Sequence, residues 1–373
     1  MTTYDSTIDA ITPLHRGRSK GAVGAPPLAP APESVRAPDD ARWPLLPWAR
    51  GPLSHAVTAA LRRSPGTFGT APPIRVNDAL TSDDFALALY LCYEPHFRGL
   101  ADSDWRWDRD LFGFRCQLER VFIDRLRDEV ATMTHRSVHA TGEVIEDLSL
   151  SMANHSLAAN VVHSGTLNQL REICIHSSAH LYRLSDPRGF ALPRVPADVG
   201  LALRELDYDG SPSGDAARRY STFFAPTMSH LALNTSIGSY VEDLPAATLA
   251  PVNLARLFAA HTRWRAALIG RFAVIDVTSG SRLRDYSRAL ERLGVGPSGR
   301  AIFNMNVDVS PRREFVARRR LVTGLLSHES LLASDVLFGA TSAVALELRF
   351  ARHLLGEWTR SHSTLISWRA KAG

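Results

Sequence analysis

The chain has 373 residues, 45% hydrophobic and 22% charged, with a formal net charge of +5. That composition fits a globular protein of one large domain or two ordinary ones. It holds no run of 18 or more apolar residues, which argues against a membrane span, and no apolar core near its start of the kind a secretory signal needs.

The positive charge is nearly all arginine, because Lys20 and Lys371 are the only lysines. No basic stripe interleaved with aromatics and no known module accompanies it. The skew therefore reads as genome bias and not as a nucleic-acid surface. Cys92, Cys116 and Cys174 are scattered and odd in number. They suggest neither a disulfide framework nor a zinc pattern, and a reducing cytoplasmic setting is expected.

In chain order, proline marks the first boundary, with 12 of the 22 prolines in residues 1–75. The Pro/Ala-rich stretch Gly21–Asp40 has little to bury, so residues 1–40 read as a disordered tail. Residues 41–75 read as an extended segment with one short helix near 53–63, pinned to the body by Trp43 and Trp48. From Asn77 the pattern turns helical. Ser82-Asp83-Asp84 caps a run with Phe85, Leu89 and Tyr90 at helix spacing. Leu111, Phe114, Leu118, Val121, Phe122 and Leu126 place a helix over 109–131. Similar spacing predicts helices over about 166–184, 197–208, 216–233, 251–275, 282–293 and 330–358. Gly294 and Pro297 stop one of them. Strand alternation is absent over any useful length. The expectation is an all-α domain of seven to ten helices over residues 76–373.

Several phrases occur together: LYLCYEPHFRGL (89–100), WRWDRDLFGFRCQLERVF (105–122), IHSSAHLYRLSDPRGFALPRV (175–195), ELDYDG (205–210), LARLFAAHTRWRAALIG (254–270) and SDVLFGATSAVALELRFARHLLGEW (334–358). In that order they resemble the haem-oxygenase-like iron-containing redox enzymes of actinobacteria, over roughly residues 76–358. The resemblance implies a helical bundle with a substrate pocket between core helices. It also implies oxygen-dependent non-haem di-iron chemistry on small amino-acid or fatty-acid substrates. The family's ligand positions fall at Asp207, near Tyr220, at Asp276, and at Asn306, Ser310 and Arg313. On that matching every imidazole is missing. Hard oxygen donors suit Mg²⁺ better than iron.

Residues 306–314 suggest what replaced the iron. Asn306, Ser310 and Glu314 stand at i, i+4 and i+8, which share one face of a helix. The pattern is similar to the N-x-x-x-S-x-x-(K/R)-E magnesium motif of class I terpene synthases. That similarity implies that Asn306, Ser310 and Glu314 hold Mg²⁺ and that Arg313, with Arg312 in reserve, holds a diphosphate. Asp207, Asp209 and Asp276 would supply the facing acids. Pro311 runs against the motif, because it removes a helical hydrogen bond and disfavours helical geometry at Ser310. Debris of a lost iron site is the plain alternative.

Three function classes follow. The leading one is Mg²⁺-dependent ionisation of an isoprenyl diphosphate, followed by cyclisation or elimination. The next is a non-haem iron oxidoreductase of a small molecule, and the third a metal-free or non-catalytic binding protein, with a homodimer as a further option. Two other groups are candidates. Glu172, His176 and His180 stand at i, i+4 and i+8 and could hold a metal, although a hydrogen-bonded core pair is the commoner use of such spacing. His261, Arg265, Leu268, Phe272 and Asp276 follow a helical stripe on which His261 is either a pocket base or a buried imidazole bonded to a carboxylate. Trp105, Trp107 and Trp264 read as core or pocket-wall aromatics.

Overall fold

Ser82 starts the first core helix as its sequence implies. The computed structural model describes residues 46–97, 103–131, 133, 141–155, 157–181, 185–207, 224–308 and 310–366, and in it the Ser82 hydroxyl accepts from the Phe85 amide at 3.3 Å. The helices are α1 (Pro52–Leu61), α2 (Asp83–Tyr93), α3 (Arg109–Ala131), α4 (Thr141–Asn154), α5 (Leu157–Ser164), α6 (Leu167–Leu181) and α7 (Ser185–Ala191). They continue with α8 (Ala197–Asp207), α9 (Ala246–Ala260), α10 (Arg265–Arg292), α11 (Ala301–Asp308), α12 (Ser310–Phe315), α13 (Thr323–His328) and α14 (Ala333–Thr359). Residues 224–230 are also helical, and a π-helical stretch, Val316–Val322, joins α12 to α13. No strand occurs among the described residues, so the fold is all-α. Residues 42–373 form one compact unit; the tail expected over 1–40 lies outside the described residues.

The helices outnumber the seven to ten expected, because α4, α5, α7 and α11 to α13 were not among the segments read as helical. The stretches expected over 251–275 and 282–293 are divided at a different place, at residue 261, since α10 runs unbroken to Arg292. His261 has an extended backbone (φ −119°, ψ 125°) between α9 and a short 3₁₀ turn that leads into α10. The expected stripe therefore begins at Arg265, and His261 stands off it. The end of α10 is as read: Gly294 takes the left-handed conformation (φ 83°) that a helix C-terminus favours.

The acids of the α2 cap do a second job. Asp84 accepts from the Leu53 amide at 3.0 Å, the Ser54 amide at 2.8 Å and the Ser54 hydroxyl at 2.6 Å, so it caps the start of α1 from outside. This capping secures α1. Trp48 does not pin the segment, being 70% exposed, and Trp43 is outside the described residues. Trp105 and Trp264 are buried as expected, while Trp107 is exposed.

At the centre, α10 and α14 cross at a pair of glycines. A Cβ on Gly270 would lie 1.9 Å from the Val336 carbonyl oxygen, and one on Gly339 would lie 1.9 Å from that of Ala267. Ala266, Ala267, Ala340 and Ala343 are buried around the crossing. Small residues let the two backbones approach, and α10 also packs against α4, α5, α11 and α12. The 28-residue α10 thus passes through the interior, and Arg271, Asp276, Thr278 and Ser287 on it are buried. The segment Ser330–Thr359 is long and apolar enough to cross a membrane, but 61% of its apolar window is buried inside the protein. Its hydrophobicity is that of a core helix.

Candidate active site

Helix α10 presents Arg271, Ile275, Thr278, Arg282 and Tyr286 along one side, since their spacing of three to four residues follows the helix turn. Arg271 is 8% exposed, and among the described residues it has no hydrogen-bond or ion-pair partner. Its guanidinium lies 5.8 Å from the centre of the Phe272 ring. Burial pulls its pKa down to about 10, opposed by Glu347, so it remains a cation at neutral pH. Three turns further on, Arg282 pairs with Glu347 of α14 at 3.4 Å.

His180, on α6, faces these arginines. Its imidazole is accessible, yet protein crowds around it. Burial, then the charges of Arg271 and Arg282, push its pKa down to about 4. The imidazole is neutral at physiological pH and, among the described residues, has no hydrogen-bond partner. Burial also drives the Tyr286 hydroxyl up, beyond its ordinary range.

A second arginine group closes on Asp276. One Arg188 nitrogen donates to both carboxylate oxygens, at 3.0 and 2.8 Å, and the two side chains are 3% and 5% exposed. Arg313 approaches the same carboxylate at 3.9 Å and donates to the Leu206 carbonyl at 2.9 Å, near the end of α8. Four guanidinium groups (Arg188, Arg271, Arg282, Arg313) thus gather with two carboxylates, Asp276 and Glu347, among the described residues. Such an interior favours an anion.

The structure distributes the sequence candidates as follows. Asp276 and Arg313 come together, buried. Glu314, one residue on, turns outward and pairs with Arg318 at 2.9 Å. Arg312 is exposed and pairs with Glu205, as does Arg320. The arginine run of residues 312–320 is thus mostly an ion-paired surface binding α8 and α4 to the helices after residue 310, with Arg313 alone facing in. The side chains of Asp207, Asn306 and Ser310, and the whole of Asp209 and Tyr220, lie outside the described residues. Ser310 begins α12, so Pro311 sits in the first turn, where its missing amide costs no helical bond.

His261 belongs to another cluster. Its Nε2 is 2.7 Å from Glu119, whose other oxygen accepts from the Tyr93 hydroxyl at 2.8 Å. Arg115 lies 3.4 Å from Glu119 and donates to His96 at 2.5 Å. This is the carboxylate-bonded imidazole weighed as the alternative to a pocket base. It lines an open cleft of about 470 Å³ with Cys116, Arg263 and Trp264. Glu172 and His176 form a core network: Glu172 accepts from Trp358 and Ser363 at 2.9 and 2.7 Å, and His176 contacts Thr248 and Thr364 at 2.6 and 2.7 Å. Both nitrogens of His176 are engaged, so these two residues do not join His180 in a metal site. The three cysteines are free.

Residues 171–348 match the family model described as iron-containing redox enzyme. That segment is similar to this haem-oxygenase-like family. It contains every residue of the interior cluster, from His180 to Glu347. No curated protein matches the chain.

Iron is the group this family implies, and the described donors do not fit it. No three His, Cys, Asp or Glu side chains gather among the described residues. Asp276 is committed to guanidinium groups, and His180 faces two cations that would repel a metal dication. The same pairings take Asp276 and Glu314 away from the expected shared Mg²⁺ ion. The residues that sequence reasoning missed are Arg188, Arg271, Arg282 and Glu347. The available signal was Arg271, a charged residue inside the otherwise apolar run 266–275.

Proposed function

We propose that the chain is an enzyme that ionises an isoprenyl diphosphate inside its helical core, with guanidinium groups taking the charge of the departing diphosphate. One observation supports this most: Arg271 is a buried cation with no hydrogen-bond or ion-pair partner among the described residues, Glu347 and Asp276 acting on it only at longer range. Burying a lone charge is costly, and a site that retains one is suited to receiving its counter-charge from a ligand. The C–O bond breaks with its electron pair leaving on diphosphate. The allylic cation then loses a proton to a diphosphate oxygen, leaving a polyene, or closes a ring first. Arginine donors stabilise the leaving oxygens most where water is excluded.

Incubation of the full chain with geranyl, farnesyl and geranylgeranyl diphosphates tests the reading. Release of inorganic diphosphate with a hydrocarbon or terpene alcohol is expected; no release from any of the three overturns it.

The family match favours a second reading, an iron-dependent oxidoreductase. Its ligands would be other than the positions matched from the sequence. Stoichiometric iron retained after anaerobic reconstitution, with oxygen consumption on a small-molecule substrate, would establish it in place of the first.

A further inference from the structure

His261 leaves the helical path although no proline or glycine lies between Phe258 and Arg265. Its extended backbone sets the ring against α3, where Nε2 meets Glu119 at 2.7 Å. Glu119 is 4% exposed and is itself held, by the Tyr93 hydroxyl at 2.8 Å and by Arg115 at 3.4 Å. A carboxylate fixed in this way orients an imidazole. In the neutral ring Nε2 donates its hydrogen to Glu119, which leaves Nδ1 as an acceptor. Nδ1 has no partner among the described residues, and the ring lines the open cleft of about 470 Å³.

The other walls of the cleft define what fits it. On α3, Cys116, Arg120 and Ile123 are four and three residues apart, so they share the face turned to the cleft. Arg263 and Trp264 close it from the turn before α10. Asp124 and Arg127, also on the wall, pair with each other at 3.1 Å. Arg120 and Arg263 are exposed, and neither has a hydrogen-bond or ion-pair partner among the described residues. The cleft thus combines two unpaired guanidinium groups, an apolar surface from Ile123 and Trp264, and one oriented acceptor nitrogen.

We propose that this cleft is a binding site for a small hydroxy acid with an apolar body. Arg120 and Arg263 supply the charge that attracts its carboxylate, Nδ1 of His261 accepts from its hydroxyl, and Ile123 and Trp264 receive its apolar body. An inorganic anion would leave the apolar surface unused, and a plain carboxylate has no hydrogen to give Nδ1. Glu119 and Tyr93 act through His261 and are positioning residues. The site shares no residue with the interior arginine cluster, so it stands or falls independently of the diphosphate reading.

Mandelate, phenylacetate and mandelamide are the probes, because the second lacks the hydroxyl and the third the negative charge. Calorimetric titration of each into the full chain is paired with alkylation by iodoacetamide, read at each cysteine by peptide mass spectrometry. Cys116 reports on the cleft because it is partly exposed there, whereas Cys92 and Cys174 are buried. Mandelate is expected to bind about fivefold or more tighter than either comparison, the worth of about one hydrogen bond. At saturation it should slow the alkylation of Cys116. His261→Ala should abolish the preference for mandelate over phenylacetate and leave phenylacetate affinity unchanged, which a general loss of structure would not do. Arg263→Gln, at an exposed position, should weaken both acids and spare mandelamide. The site is overturned if mandelate leaves the Cys116 rate unchanged, if it binds no tighter than phenylacetate, or if either variant binds all three probes as the native chain does.

Discussion

A carboxylate at position 276 can serve a metal or a guanidinium, and here Arg188 and Arg313 hold it. Asp276 is 3% exposed, so removing it strands buried cations. Asp276→Ala should lower the unfolding free energy by about 3–5 kcal/mol, measured by urea denaturation. Pairing it with Arg188→Met should recover part of that loss, because both charges of the buried pair are then gone. A second residue-scale effect concerns protons. His96 and His180 both have pKa values near 4, lowered by burial and by neighbouring arginines: Arg115 and Arg106 at His96, Arg271 and Arg282 at His180. Glu119 opposes the shift at His96 and His261 adds to it. In the unfolded chain each titrates near about 6.5. Between those values the unfolded state binds more protons, so this stabilisation is present above the unfolded pKa and is lost as pH falls toward 4. Urea midpoints should decline from pH 6.5 to 4.5, and His96→Asn should flatten the decline; an unchanged slope in that variant would remove His96 from the account. At this scale Asp276 and Arg313 stood out in the sequence, because they fall where a related sequence keeps ligands, but their pairing with each other did not. Arg188 and Arg271 did not stand out, since only packing shows which of many arginines face inward.

Among the elements, most helices were legible because their apolar spacing is strong and their ends carry chemical marks, Ser82 at one start and Gly294 at one stop. The break at His261 was not. The residues on both sides continue an apolar stripe, and only an extended backbone at one position separates α9 from α10. The crossing of α10 and α14 was equally hidden, because Gly270 and Gly339 lie some seventy residues apart and mean something only together. Each faces a backbone carbonyl, which cannot rotate away as a side chain could. Gly339→Ala should therefore force the helices apart and cost about 1–3 kcal/mol or more by overpacking. Gly113→Ala, on α3 with open space around the added methyl, should be neutral or mildly stabilising through helix propensity. Thermal melts of the two variants check the contrast. Comparable losses in both would mean that the crossing is looser than its backbone distances indicate.

Across the whole molecule, one helical face serves two purposes that its sequence spacing merges. Glu172, His176 and His180 lie in register on α6, but the first two fasten the chain's later segments and the third faces the arginines. Glu172 accepts from Trp358 at the end of α14 and from Ser363 and Thr364 beyond it, while Thr364 also contacts His176. Thr364 is fully buried, so water cannot replace its hydroxyl. Thr364→Val keeps the volume and the backbone amide bond to Glu172 but removes the hydroxyl bonds to both residues. Leaving two buried polar groups short of a partner should cost about 1–3 kcal/mol each. Urea denaturation of Thr364→Val checks the loss; an unfolding free energy equal to that of the native chain would show that the clasp contributes nothing to the fold.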